Sequence, residues 1–100
     1  MNLQDCTSEK EIYFELYKRF TRILNFLYDN KLVQANQETQ RISGEFLLIK
    51  QKTDELTKLV ITNISEIVTH IRSGAVIQAY FGARDLLQLI EEKMQTNVRN

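Results

Sequence analysis

Proline and tryptophan are absent from these 100 residues; there are three glycines, two methionines, one cysteine and one histidine. Without proline, nothing forces a helix to stop or kink, and three glycines leave few places where a left-handed turn comes without steric cost. The lone Cys6 excludes an internal disulfide, and with it the stapled scaffolds of small secreted domains. One histidine and one cysteine are too few ligands for a typical zinc site. An excess of charge is also missing: thirteen basic and thirteen acidic side chains leave a formal net charge of zero. A nucleic-acid partner, which calls for a basic face, is therefore not expected.

No apolar run approaches the roughly 20 residues of a membrane-spanning helix. Asn2, Gln4, Asp5 and Glu9 interrupt the start of the chain, unlike the core of a secretion signal, so a cytoplasmic location is expected. A basic amphipathic face is lacking too, since Glu9, Glu11, Glu15 and Asp29 offset Lys18, Arg19 and Arg22, and no membrane partner is expected. The chain contains no GxxxxGK[ST], GxGxxG, HExxH or CxxC motif. No cofactor, metal or enzymatic activity is expected.

What the sequence does contain is an apolar line. Ala35, Ile42, Phe46, Ile49, Leu56, Val60, Ile64, Ile67 and Ile71 recur at helical spacing, with Thr53 the polar step in the middle. At about 100° per residue these positions stay in one narrow sector, a pattern no strand with its period of two can produce. The expected fold is an all-α antiparallel bundle of three helices in one domain, with coiled-coil-like packing, built around a central helix from about Leu32 to Arg72. At 1.5 Å per residue that helix would be about 60 Å long. Two places could break it: Gly44, and the β-branched run Val60-Ile61-Thr62, after which Asn63 could cap a new helix. The alternative is thus four helices with a break near Thr62.

Flanking elements are marked by their caps. Ser8 and Glu11 have capping-box spacing, and helix one runs from there to about Tyr28, with Tyr13, Leu16, Tyr17, Phe20, Ile23, Leu24 and Leu27 on its inner face. Asp29-Asn30-Lys31 forms the turn. Gly74 suits the left-handed position past the central helix. Helix three runs from about Ala75 to Gln95, with Val76, Ala79, Tyr80, Ala83, Leu86, Leu87, Ile90 and Met94 inward, and the small Gly82 allows a close backbone approach. Residues 1–7 and 96–100 are polar and expected to be disordered. The first turns of the central helix, from Gln34 to Gln40, are polar and read as solvated or frayed.

The competing chemical reading is a histidine phosphotransfer domain acting through His70. Such domains are helical bundles of similar length, and Gly74 stands at +4 from His70, where that family has a small residue, often glycine. Their basic +3 position is Ser73 here, with Arg72 at +2 instead. The principal expectation is a protein–protein interaction module, acting as adaptor, dedicated chaperone or inhibitor; a structural subunit of a larger helical assembly is the other alternative. Phe14, Phe26, Ile77 and Phe81 fall outside the inner sectors and are the candidate partner-binding residues. Leu48 and Leu59 share a flank of the continuous central helix. A 60 Å helix flanked by two half-length helices leaves seam uncovered, so a homodimer is expected, with a hetero-complex as the other way to cover it.

Overall fold

The computed structural model describes residues 2–50 and 52–99, with side chains described as far as Gln95. Four helices follow a short 3-10 turn at Leu3–Asp5: α1 (Glu9–Tyr28), α2 (Leu32–Leu47), α3 (Asp54–Arg72) and α4 (Val76–Arg99). Each is antiparallel to its chain neighbour. Arg19 of α1 reaches Glu38 and Glu45 of α2, Glu55 at the start of α3 pairs with Lys93 near the end of α4, and Tyr28 at the end of α1 meets Tyr80 near the start of α4. The α1–α4 contact closes the ring, and the bundle measures 39 × 25 × 22 Å.

The expected 60 Å central helix is not formed. It breaks, and it breaks at residues 48–53 rather than near Thr62. Thr53 makes the break, since its hydroxyl accepts from the Leu56 N–H at 3.2 Å and caps α3, and Asp54 and Glu55 place negative charge in the first turn. On the other side Lys52 Nζ donates to the Ile49 carbonyl at 2.6 Å, satisfying an acceptor just beyond the end of α2, and lies 5.6 Å from the Phe46 ring centroid. The Val60-Ile61-Thr62 run stays helical within α3. Asn63 caps nothing; its Nδ2 donates back to the Leu59 carbonyl at 2.6 Å.

Core positions follow the 3–4 spacing of coiled coils: Tyr13, Leu16, Phe20, Ile23 and Leu27 on α1; Ala35, Ile42 and Phe46 on α2; Leu56, Val60, Ile64, Ile67 and Ile71 on α3; Ala79, Ala83, Leu86 and Ile90 on α4. All are buried. Thr39 takes the vacant seam position on α2 and is fully buried, its hydroxyl donating to the Ala35 carbonyl at 2.6 Å. The polar opening of α2 is therefore only partly solvated, for Glu38 is buried as well.

Two helix ends use one geometry. Asn30 (φ 59°) and Gly74 (φ 77°) take the left-handed conformation just past α1 and α3. Lys31 N–H donates to the Phe26 carbonyl at 2.7 Å and Ala75 N–H to the His70 carbonyl at 2.8 Å, the six-to-one bond of a Schellman motif. Gly82 is not needed for close packing: a Cβ there would meet Ile67 Cγ1 at 3.5 Å, an ordinary contact.

The start of the chain departs from expectation. Leu3 is fully buried, and its N–H donates to Glu45 Oε1 at 2.9 Å. Burying one leucine is worth about 1.5–3 kcal/mol, which offsets part of the entropy lost in ordering the turn. Ser8 caps α1 as expected, accepting from Glu11 N–H at 3.2 Å, but Glu11 reaches one residue further back, accepting from Thr7 N–H at 2.6 Å and from its hydroxyl at 3.0 Å. These bonds, backbone first, hold the Glu11 carboxyl below its ordinary value. At the other end α4 continues through residues expected to be disordered, as far as Arg99; Met1 and Asn100 lie outside the described residues.

Candidate functional site

Among the described residues no group of His, Cys, Asp and Glu could hold a metal ion, and no helix is long and apolar enough to cross a membrane. His70 is half-buried in the last turn of α3, beside Ser65, Glu66 and Thr69 in a shallow hollow of ≈ 200 Å³. Cys6 is a half-buried free thiol. Burial, then Glu11, Glu15 and Asp5, push its pKa up, the opposite of nucleophilic activation.

Two features stand out. The first is an aromatic and apolar patch where the end of α1 meets the start of α4. The Tyr28 and Tyr80 rings lie 6.4 Å apart at 47°, and Tyr80 meets Phe81 edge-on at 5.8 Å. Tyr28 is 78% exposed, Ile77 69% and Phe81 50%. With Leu27, Asn30 and Val76 they line an open hollow of ≈ 400 Å³. The left-handed Asn30 and Gly74 set this place. Each reverses the chain within a few residues, and so Tyr28 and Ile77 sit at the same end of the bundle. Arg84 and Asp85, in the next turn of α4 after Phe81, are exposed.

Of the four sequence-derived candidates, Ile77 and Phe81 belong to this patch. Phe14, 53% exposed, lies near the opposite end of α1, bordering a separate hollow with Lys18 and Met94, its ring 5.3 Å from Lys18 Nζ. Phe26 is half-buried, packs against the core and lies outside this patch. Tyr28 was missed, although an aromatic residue immediately before Asp29-Asn30 marks an exposed helix end. Leu48 and Leu59 do not share a helix flank: Leu48 is exposed at the end of α2, and Leu59 packs on the core from α3.

The second feature is a buried ionic cluster, of which only Glu38 falls in a stretch expected to be solvated or frayed. Arg19 Nε donates to Glu38 Oε1 at 2.8 Å, and Nη1 and Nη2 donate to the two oxygens of Glu45 at 2.5 and 3.0 Å. Arg41 Nη1 approaches Glu38 Oε2 at 3.4 Å. Burial alone would favour neutral carboxyl for Glu45, but the Arg19 bonds and the Leu3 N–H outweigh it and hold the pKa below its ordinary value. Burial likewise opposes the charge on Arg19, and its bonds to Glu45 and Glu38 overcome it. The cluster clamps α1 to α2.

The chain matches no protein-family model, no curated protein and no solved structure.

Proposed function

We propose that this chain works by binding another protein through the Tyr28–Ile77–Phe81 patch, as an adaptor, dedicated chaperone or inhibitor, and carries out no chemistry of its own. The observation behind this reading is the juxtaposition of three large apolar side chains, each at least half exposed, at one end of the bundle. Contacting rings are stiff, so little side-chain freedom is lost when a partner covers them, and aromatic anchors inside a polar rim are the usual energetic centre of an interface. A different protein is favoured over a second copy because the reason for self-pairing has gone. Four short helices cover the seam that one 60 Å helix would have left open.

Ile77→Asp/Phe81→Asp tests the proposal against Leu47→Asp, which changes an exposed residue at the far end of α2 from the patch. With a photo-crosslinking residue in place of Tyr28, the wild type and the Leu47 variant should capture the same protein from cells of the source organism, and the double variant should not. Capture that survives the double substitution overturns the assignment. The competing phosphotransfer reading would gain if acid-labile label from acetyl phosphate or a phosphorylated receiver appeared on the wild type and vanished in His70→Gln.

A further inference from the structure

Glu45 belongs to two structures at once. Its Oε1 takes the Leu3 N–H and Arg19 Nη1, and its Oε2 takes Arg19 Nη2. The turn that Leu3 begins is self-contained. Gln4 N–H donates to Asn2 Oδ1, Asp5 N–H to the Asn2 carbonyl and Cys6 N–H to the Leu3 carbonyl. Thr7 is tied to Glu11 at the first turn of α1, independently of Leu3. Asn2, Gln4 and Asp5 are exposed, so Leu3 is the segment's buried anchor, and its N–H ties the segment to Glu45 across the bundle. Between the turn and α1, Cys6 and Ser8 are extended.

From this geometry we infer that residues 2–6 are a latch: they leave and rejoin the bundle as a unit, pivoting at Cys6–Thr7, and the Arg19–Glu45 pair is the fixed half of the catch. Opening loses the buried Leu3 side chain, part of the packing of the half-buried Cys6 and one long-range hydrogen bond, while the local bonds of the turn and the Thr7–Glu11 anchor remain. It returns backbone freedom to only a few residues and leaves the α1–α4 core intact. Release uncovers the apolar seat of Leu3 beside a carboxylate that Arg19 still orients. Because Glu45 is shared, the coupling is reciprocal: loosening Arg19 loosens the latch, and opening the latch removes a donor from the α1–α2 clamp.

Amide hydrogen exchange on the full chain tests this directly, since the Leu3 N–H is itself the catch. In the wild type it should exchange at least about 10-fold more slowly than in a free peptide and at least about 100-fold faster than the amides of Phe20 and Ile23. Arg19→Gln should bring it towards the free-peptide rate. Val60→Ala, which destabilises the core from α3, should leave the ratio of Leu3 to free-peptide rates unchanged under conditions where the chain stays folded. Exchange of Leu3 at the rate of Phe20 would mean that the segment opens only with the whole bundle and would overturn the inference. Free-peptide exchange in the wild type would mean that no latch forms, and equal responses to Arg19→Gln and Val60→Ala would remove the coupling. If Arg19→Gln does not fold, Glu45→Asp, which shortens the catch and keeps its charge, replaces it with the same expected and contrary outcomes.

Discussion

Arg19 and Glu38 face each other across the α1–α2 interface, Nε to Oε1 at 2.8 Å, with both side chains removed from water. Charges taken into an interior are tolerated only as a set. Arg19→Met leaves the carboxylates of Glu38 and Glu45 without their shared cation, and it should cost about 3–5 kcal/mol in urea unfolding. Replacing the whole set, as Arg19→Met/Glu38→Leu/Glu45→Leu, should recover most of that loss, because apolar groups of similar volume satisfy the same space. A triple variant less stable than the single one would show that the cluster itself drives folding.

Glu45 sets an acid limit on the fold. Its folded pKa lies below the ordinary glutamate value of 4.5, so its contribution is complete above pH 4.5 and is lost as the pH falls through the lowered folded value. The stability difference between wild type and Glu45→Gln should be constant from pH 7 down to that ordinary value and should narrow on further acidification. A gap that stays constant down to the acid unfolding of the wild type would exclude this assignment. Melting temperature as a function of pH supplies the comparison.

The seam itself can be weighed. Phe46 and Leu56 are both fully buried, on either side of the α2–α3 break. Phe46→Ala and Leu56→Ala should each lower stability by about 2–5 kcal/mol. Losses below about 0.5 kcal/mol at both sites would exclude them from the core.

Glycine positions should respond with opposite signs. Gly44 lies within α2 with nothing within 4 Å of an added Cβ, so Gly44→Ala should stabilise by about 0.5–1 kcal/mol. Gly74 has equal room, but its φ of 77° strains any L side chain, and Gly74→Ala should cost about 1–2 kcal/mol. Thermal unfolding of the two variants, followed by circular dichroism, reads both.

Helices α1 and α4 were legible in the sequence because caps and apolar period agreed there: Ser8 opens α1, Asn30 ends it, and Gly74 precedes α4. The α2–α3 junction was not, because Ile42, Phe46, Ile49, Thr53, Leu56 and Val60 keep the 3–4 spacing straight through a connection whose described residues are not helical. A buried residue of that connection, Ile49, and a helix cap, Thr53, happen to stand where seam residues would. The usable signal was chemical: a polar run from Lys50 to Lys52, then a threonine followed by two acids. Hydropathy also hid the ionic cluster. Glu38 and Glu45 are seven residues apart on one edge of the α2 seam, and Arg19 borders the inner face of α1, but polarity alone assigns all three to solvent. Ile77 and Phe81 were legible as misfits in the helical pattern, whereas Tyr28 needed the position of the turn that follows it.

The α1–α4 contact brings the start and finish of the helical path together, with Ser8 and Phe14 bordering the same hollow as Met94. Chain order is then incidental to which helices touch. Cut in the 48–53 connection and rejoined by a short linker from the end of α4 to residue 2, the chain would keep every helix beside its present neighbours and Leu3 against Glu45. The bundle is topologically a loop, open to circular permutation at the corner where its seam pattern alone shows no interruption.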